Sequence, residues 1–198
     1  MGRFFSSFEE AWEAFLVREE PLEDFFGSFP DEEAYLTMWL APPGAAACAE
    51  AAVVQRELSG LVGLVLTPRH WLHVSLGPGS ESELEAVRER LHGFGSFDAE
   101  YGPATCFHEA HVLEVRSARF AELARTIDAQ KDLAEFLPHL SIAYVEGRPP
   151  PGPSREVLAS LRDRPPIRDL VSEVQLCVVP VGRGSLFDPW RVAATVRL

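Results

Sequence analysis

The sequence predicts an α+β fold, on three observations. Strand-type stretches with alternating apolar residues recur from 35–41 to 190–198. Helix-type stretches lie between them, with apolar residues at helical spacing. A five-residue pattern of apolar, His, apolar, Ser, apolar occurs twice, each time in a strand context. A chain of 198 residues fits one domain, or one domain with an added segment.

Residues 4–20 read as an amphipathic helix, with Phe5, Phe8, Trp12, Phe15 and Leu16 at helical spacing. Ser7 and Glu10 offer a capping box, and Pro21 marks the helix end. Its other face is acidic, which argues against an anionic membrane. Residues 22–29 add Leu22, Phe25, Phe26 and Phe29 as a short helix or turn that continues this cover. A strand over 35–41 is followed by the breaker Pro42-Pro43-Gly44 and an Ala-rich helix over 45–58. A short apolar strand at 64–66 leads to the first patterned strand, closed by Gly77-Pro78-Gly79. A helix over 80–91, with Ser82 and Glu85 as a capping box, comes next. Strands over 97–107 and 111–115 are joined near His108-Glu109, and a helix follows over 119–127. The loop 128–137 leads into the second patterned strand, which ends at Tyr144-Val145. Residues 148–153 read as a rigid proline-rich turn, followed by a helix over 154–162 and strands over 171–179 and 190–198.

Bulk composition narrows the function. The net charge is −12 and no basic run is present. Long nucleic acid is held by many Lys and Arg contacts to phosphate, so no extended nucleic-acid footprint is expected. A few Arg in one cleft suffice for a small or terminal phosphoester. Cys48, Cys106 and Cys177 are far apart and odd in number, which disfavours a disulfide scaffold or a zinc cluster and suits free thiols in a reducing cytoplasm. Neither a signal peptide nor a membrane span is expected.

The two copies of the pattern carry the chemistry. They are Leu72-His73-Val74-Ser75-Leu76 and Pro138-His139-Leu140-Ser141-Ile142. In a strand, successive side chains point to opposite faces. His73 and Ser75 therefore oppose Leu72, Val74 and Leu76, and His139 and Ser141 oppose Leu140 and Ile142. Each strand buries one face and presents an imidazole with a hydroxyl on the other. One H-x-S would be expected by chance in this composition; two in matching contexts point to a site.

A pair of H-x-[ST]-x strands 66 positions apart (139 − 73) resembles the signature of the two-histidine (2H) phosphoesterase superfamily, in particular the bacterial 2'-5' RNA ligase and cyclic nucleotide phosphodiesterase group. The resemblance covers roughly residues 35–198. Residues 1–34, an N-terminal helical extension, do not match it. Ser stands where Thr is commoner in both motifs, which keeps the hydroxyl. The resemblance implies a bilobal fold, with two mostly antiparallel sheets flanking a central cleft and helices outside. It implies a cytoplasmic, metal-independent phosphodiesterase without cofactor, acting on a 2',3'-cyclic phosphate or a 2'-5' linkage of a small nucleotide or RNA end. His73 and His139 are then the catalytic acid–base pair and Ser75 and Ser141 the phosphate-binding hydroxyls. An imidazole titrates near neutrality, so one can remove a proton while its partner supplies one. Tyr144, three residues beyond Ser141, is either a substrate contact at the cleft edge or a packing residue.

Other readings are weaker. Neither Ser has a G-x-S-x-G elbow or an obvious Asp to orient a triad. His70 and His108 lie three residues before His73 and His111, which on a strand places each pair on opposite faces, and no H-E-x-x-H is present. A non-catalytic module that binds a nucleotide or a partner protein on the same fold is the alternative from another class, and the completeness of both motifs counts against it.

Overall fold

The computed structural model describes residues 5–133 and 136–198. In chain order the elements are α1 (Phe8–Leu16), β1 (Tyr35–Ala41), α2 (Ala45–Leu58), β2 (Leu64–Leu66), β3 (Val74–Pro78), α3 (Leu84–Leu91), β4 (Phe97–Cys106), β5 (Ala110–Arg116), α4 (Ala118–Ile127), β6 (His139–Val145), α5 (Pro151–Leu161), β7 (Ile167–Val171), β8 (Glu173–Pro180) and β9 (Arg191–Arg197).

The strands form two antiparallel groups. One runs β7-β4-β5-β6, with β2 on the far edge of β6; the other runs β3-β1-β8-β9. The two expected halves meet at the motif strands, where a single β3–β6 pair, Val74 with Leu140, joins the described strands into one nine-stranded sheet. Helices α1, α2 and α5 pack on the first group, and α4 packs on β3 with α3 beside it. Val74, Leu76, Leu140 and Ile142 are fully buried in the main core. Each such side chain stabilises the fold by about 1.5–3 kcal/mol. That fixes the phase of both strands and leaves His and Ser facing the cleft.

The motif strands share a further irregularity. Trp39 pairs with Gly77 and Leu40 with Ser75, so Leu76 is an extra residue in β3. His111 pairs with Ala143 and Val112 with Ser141, so Ile142 is an extra residue in β6. Each bulge follows directly on the motif serine. A bulge reverses the alternation beyond it. In β6 this brings Tyr144 to the same side as Ser141, where a regular strand would oppose them. The Ile142 carbonyl is held by the Thr67 amide and the Gln55 side chain.

Several boundaries differ from the sequence reading. Helix α1 spans Phe8–Leu16 and stops well short of Pro21. Arg155 of α5 donates to the Phe15 and Arg18 carbonyls, and Arg18 donates to those of Glu20 and Pro21, so side chains replace the next helical turn. Ser7 caps the Glu10 amide as expected, but the Glu10 carboxylate bonds Ser6. The second expected box is not made: Ser80 caps the Ser82 amide, and a 3-10 turn over Glu81–Glu83 precedes α3. Pro151 and Pro153 fall in the first turn of α5, where a missing N–H costs nothing. Strand β7 was not expected; it is a five-residue edge strand with Leu170 exposed. Its Asp169 carboxylate accepts from the Ala47 amide and so caps α2, whose own N-cap is Gly44.

Candidate active site

Each motif begins with a histidine whose ring is pinned from behind. His73 Nδ1 lies 2.7 Å from the Trp71 carbonyl, and His139 Nδ1 lies 2.7 Å from the Leu137 carbonyl. Both partners stand two residues before the His. A carbonyl can only accept, so in each neutral ring Nδ1 carries the proton and Nε2 is the basic nitrogen. His73 sits one residue before β3 begins, after a 3-10 turn over Arg69–Trp71, while His139 is the first residue of β6. The antiparallel pairing of Val74 with Leu140 sets His73 toward Ser141 and Ser75 toward His139.

All four residues line one pocket of about 230 Å³, together with Phe25, Phe107, Glu109, Ala110 and Tyr144. The expected constellation is thus assembled across the seam between the two strand groups. Its halves differ in detail. Ser75 Oγ lies 3.1 Å from His73 Nε2 and donates to it when the ring is neutral. Ser141 instead acts on the Tyr144 hydroxyl, pulling its pKa down against the effect of burial. His73 packs edge-on against Trp190 at 5.2 Å, and His139 against Phe107 at 4.9 Å.

Tyr144, read in the sequence as a substrate contact or a packing residue, is placed at the pocket and packed. It lines the pocket, and its ring is buried in a stack with Phe25 at 4.0 Å between centroids. Burial raises its phenol above the usual range. Phe25, Phe107 and Glu109 went unrecognised as site residues. Phe25 is held by its amide on the Val145 carbonyl, a contact with no local sequence signal. Glu109 was visible only as a turn residue between two strands.

Burial governs the electrostatics. It pushes His73 down to about 4, with the charge of His139 acting in the same direction and the Trp71 carbonyl opposing. Burial also lowers His139, with the Leu137 carbonyl opposing. The two imidazoles titrate as a pair, because a proton on one disfavours a proton on the other. An anion placed between them would favour their charged forms. Among the described residues neither Arg nor Lys lines this pocket. Among the described residues no cluster of three or more His, Cys, Asp or Glu has metal-binding spacing, and no helix is long and apolar enough to cross a membrane.

The profile of the 2'-5' RNA ligase superfamily matches residues 42–182, which contain both motifs. The chain belongs to the 2'-5' RNA ligase superfamily. Solved structures share the fold at low identity. TT0787 of Thermus thermophilus is 17% identical, with a TM-score of 0.56 over 82% of this chain and 97% of that one. E. coli LigT complexed with 3'-AMP is 13% identical, with a TM-score of 0.54 over 84% of this chain and 99% of that one. E. coli LigT complexed with NADP+ is 14% identical, with a TM-score of 0.55 over the same shares. No curated protein sequence matches this chain. Residues 1–41, which include Phe25, lie outside the superfamily match.

Proposed function

We propose that this superfamily member is a metal-independent phosphodiesterase that opens 2',3'-cyclic phosphates or 2'-5' linkages at nucleotide or RNA ends. The observation that carries the reading is the mirrored presentation of two Nε2 atoms and two serine hydroxyls to one pocket. Support also comes from LigT, which has the same fold and is known in complex with 3'-AMP and with NADP+. A small nucleotide is therefore the expected ligand class.

On a cyclic phosphate, water attacks phosphorus while the neutral imidazole takes its proton at Nε2. The bond from phosphorus to one ribose oxygen breaks, and the charged imidazole protonates that oxygen. The pair ends with its proton on the other ring and the product is a phosphomonoester. Ser75 and Ser141 donate to the non-bridging oxygens, where charge builds up in the transition state. Ser75 turns its hydroxyl from His73 to the phosphate as that ring becomes the base or carries the proton.

The four nucleoside 2',3'-cyclic monophosphates test this directly. Turnover of at least one is expected in the presence of EDTA, with a single product isomer. Activity lost in EDTA and restored by a divalent metal would contradict it.

A further inference from the structure

Among the described residues, Glu109 is the one carboxylate that lines a pocket proposed to take an anion. It stands in the turn between β4 and β5, where its carbonyl accepts from the Val145 amide at 2.9 Å. That bond ties the turn to the end of β6, next to Tyr144. The side chain is half-buried and reaches the pocket beside Phe25, Phe107 and Tyr144. Its carboxylate makes no hydrogen bond to any described residue. Burial, and then the nearby Glu23, raise its pKa, as expected for an acid without a partner.

Water reaches this half-buried carboxylate in the free protein, and a ligand that fills the pocket displaces that water, so a donor on the ligand must take its place. It cannot adjoin the phosphate, because like charges would repel at that distance. In the proposed reading the serines and imidazoles take the phosphate, which leaves Glu109 to the nucleoside part of the substrate. Phe25, Phe107 and Tyr144 line the same pocket and suit the faces of a base or the apolar side of a ribose.

We infer that Glu109 is a specificity-determining residue that accepts a hydrogen bond from an N–H or O–H donor on the nucleoside part of the substrate. The inference rests on the proposed phosphodiesterase reading. A site built to bond such a donor rejects an analogue that lacks it far more strongly than a site that merely packs around it.

The test compares adenosine 2',3'-cyclic phosphate with two analogues. The N6,N6-dimethyl analogue lacks the base amino donor. The 5'-deoxy analogue lacks the free sugar hydroxyl. The wild type is expected to lose about tenfold or more in kcat/KM on one of them, the effect of one charged hydrogen bond. Which analogue suffers identifies the donor. In Glu109→Met, which keeps the length of the side chain, removes the oxygen acceptor and breaks no internal hydrogen bond, that discrimination is expected to collapse toward unity. Equal turnover of all three substrates by the wild type would overturn the inference while leaving the phosphodiesterase reading intact. So would discrimination that persists in Glu109→Met. If no cyclic phosphate is turned over, that reading fails. The same comparison is then made by calorimetry with the corresponding 3'-monophosphates, where equal affinities, no binding, or discrimination unchanged in Glu109→Met overturn the role of Glu109.

Discussion

Replacing His73 or His139 by Ala is expected to lower kcat for cyclic phosphate hydrolysis by about 10²- to 10⁴-fold, the usual contribution of a positioned acid or base. The geometry makes both variants equally damaging. Each ring is held through Nδ1 by a carbonyl two residues upstream, and each offers Nε2 to the shared pocket. One proton must leave and one must arrive in the same displacement, so one histidine cannot replace the other. The double variant is expected to be little worse than either single one, because the pair acts as a unit. Substrate affinity should change far less than turnover. Steady-state kinetics on the three variants checks this. Retention of more than a tenth of the wild-type kcat in either single variant would contradict the paired mechanism.

Arg162→Met is expected to destabilise the fold by about 3 kcal/mol, in the range for breaking a buried ion pair from one side. Glu114 is fully buried on β5, and His139 is its cross-strand neighbour on β6. Its carboxylate accepts from Arg162 at 2.8 Å and from Arg116 at 2.6 Å. Arg162 also donates to the Ala104 carbonyl and lies 4.5 Å over the Trp12 ring. Without it the buried charge keeps only Arg116, whose side chain is 46% exposed. Urea unfolding measures the loss, and Tm should fall by about 6–12 °C. Adding Glu114→Gln should restore part of the stability by removing the stranded charge. A loss under about 1 kcal/mol would show that the network contributes little.

The site was legible to the extent that its signal was local and repeated. His73, Ser75, His139 and Ser141 follow from two five-residue patterns whose apolar partners fix the strand phase. What the pattern hid were the bulges, because an extra residue at Leu76 or Ile142 leaves the composition unchanged. The position of Tyr144 depends on that bulge, so the sequence left its role open. Phe25 and Glu109 reach the pocket through backbone bonds to the Val145 carbonyl and amide, between segments remote in sequence. Strand β7 escaped notice because an edge strand with exposed Leu170 lacks a clear apolar face. The start of α5 escaped because its prolines read as a turn, although the first helical turn tolerates them equally well. Most other helix and strand limits were readable, because Gly, Pro and apolar periodicity coincide there.

The most direct test of the two-histidine account is the pH dependence of kcat/KM for a 2',3'-cyclic nucleotide. This ratio reports the ionisations of the free enzyme. Burial holds His73 near 4 and His139 below its ordinary value of 6.5. The active form carries one proton on the pair, so it is populated between two apparent pKa values that both lie below 6.5. Rising pH removes the acid's proton and falling pH protonates the base. The account predicts a bell with its maximum on the acid side of 6.5, and a kcat profile displaced upward because the bound phosphate favours the imidazolium. A kcat/KM that climbs to a plateau above neutrality, with no falling alkaline limb, would contradict it.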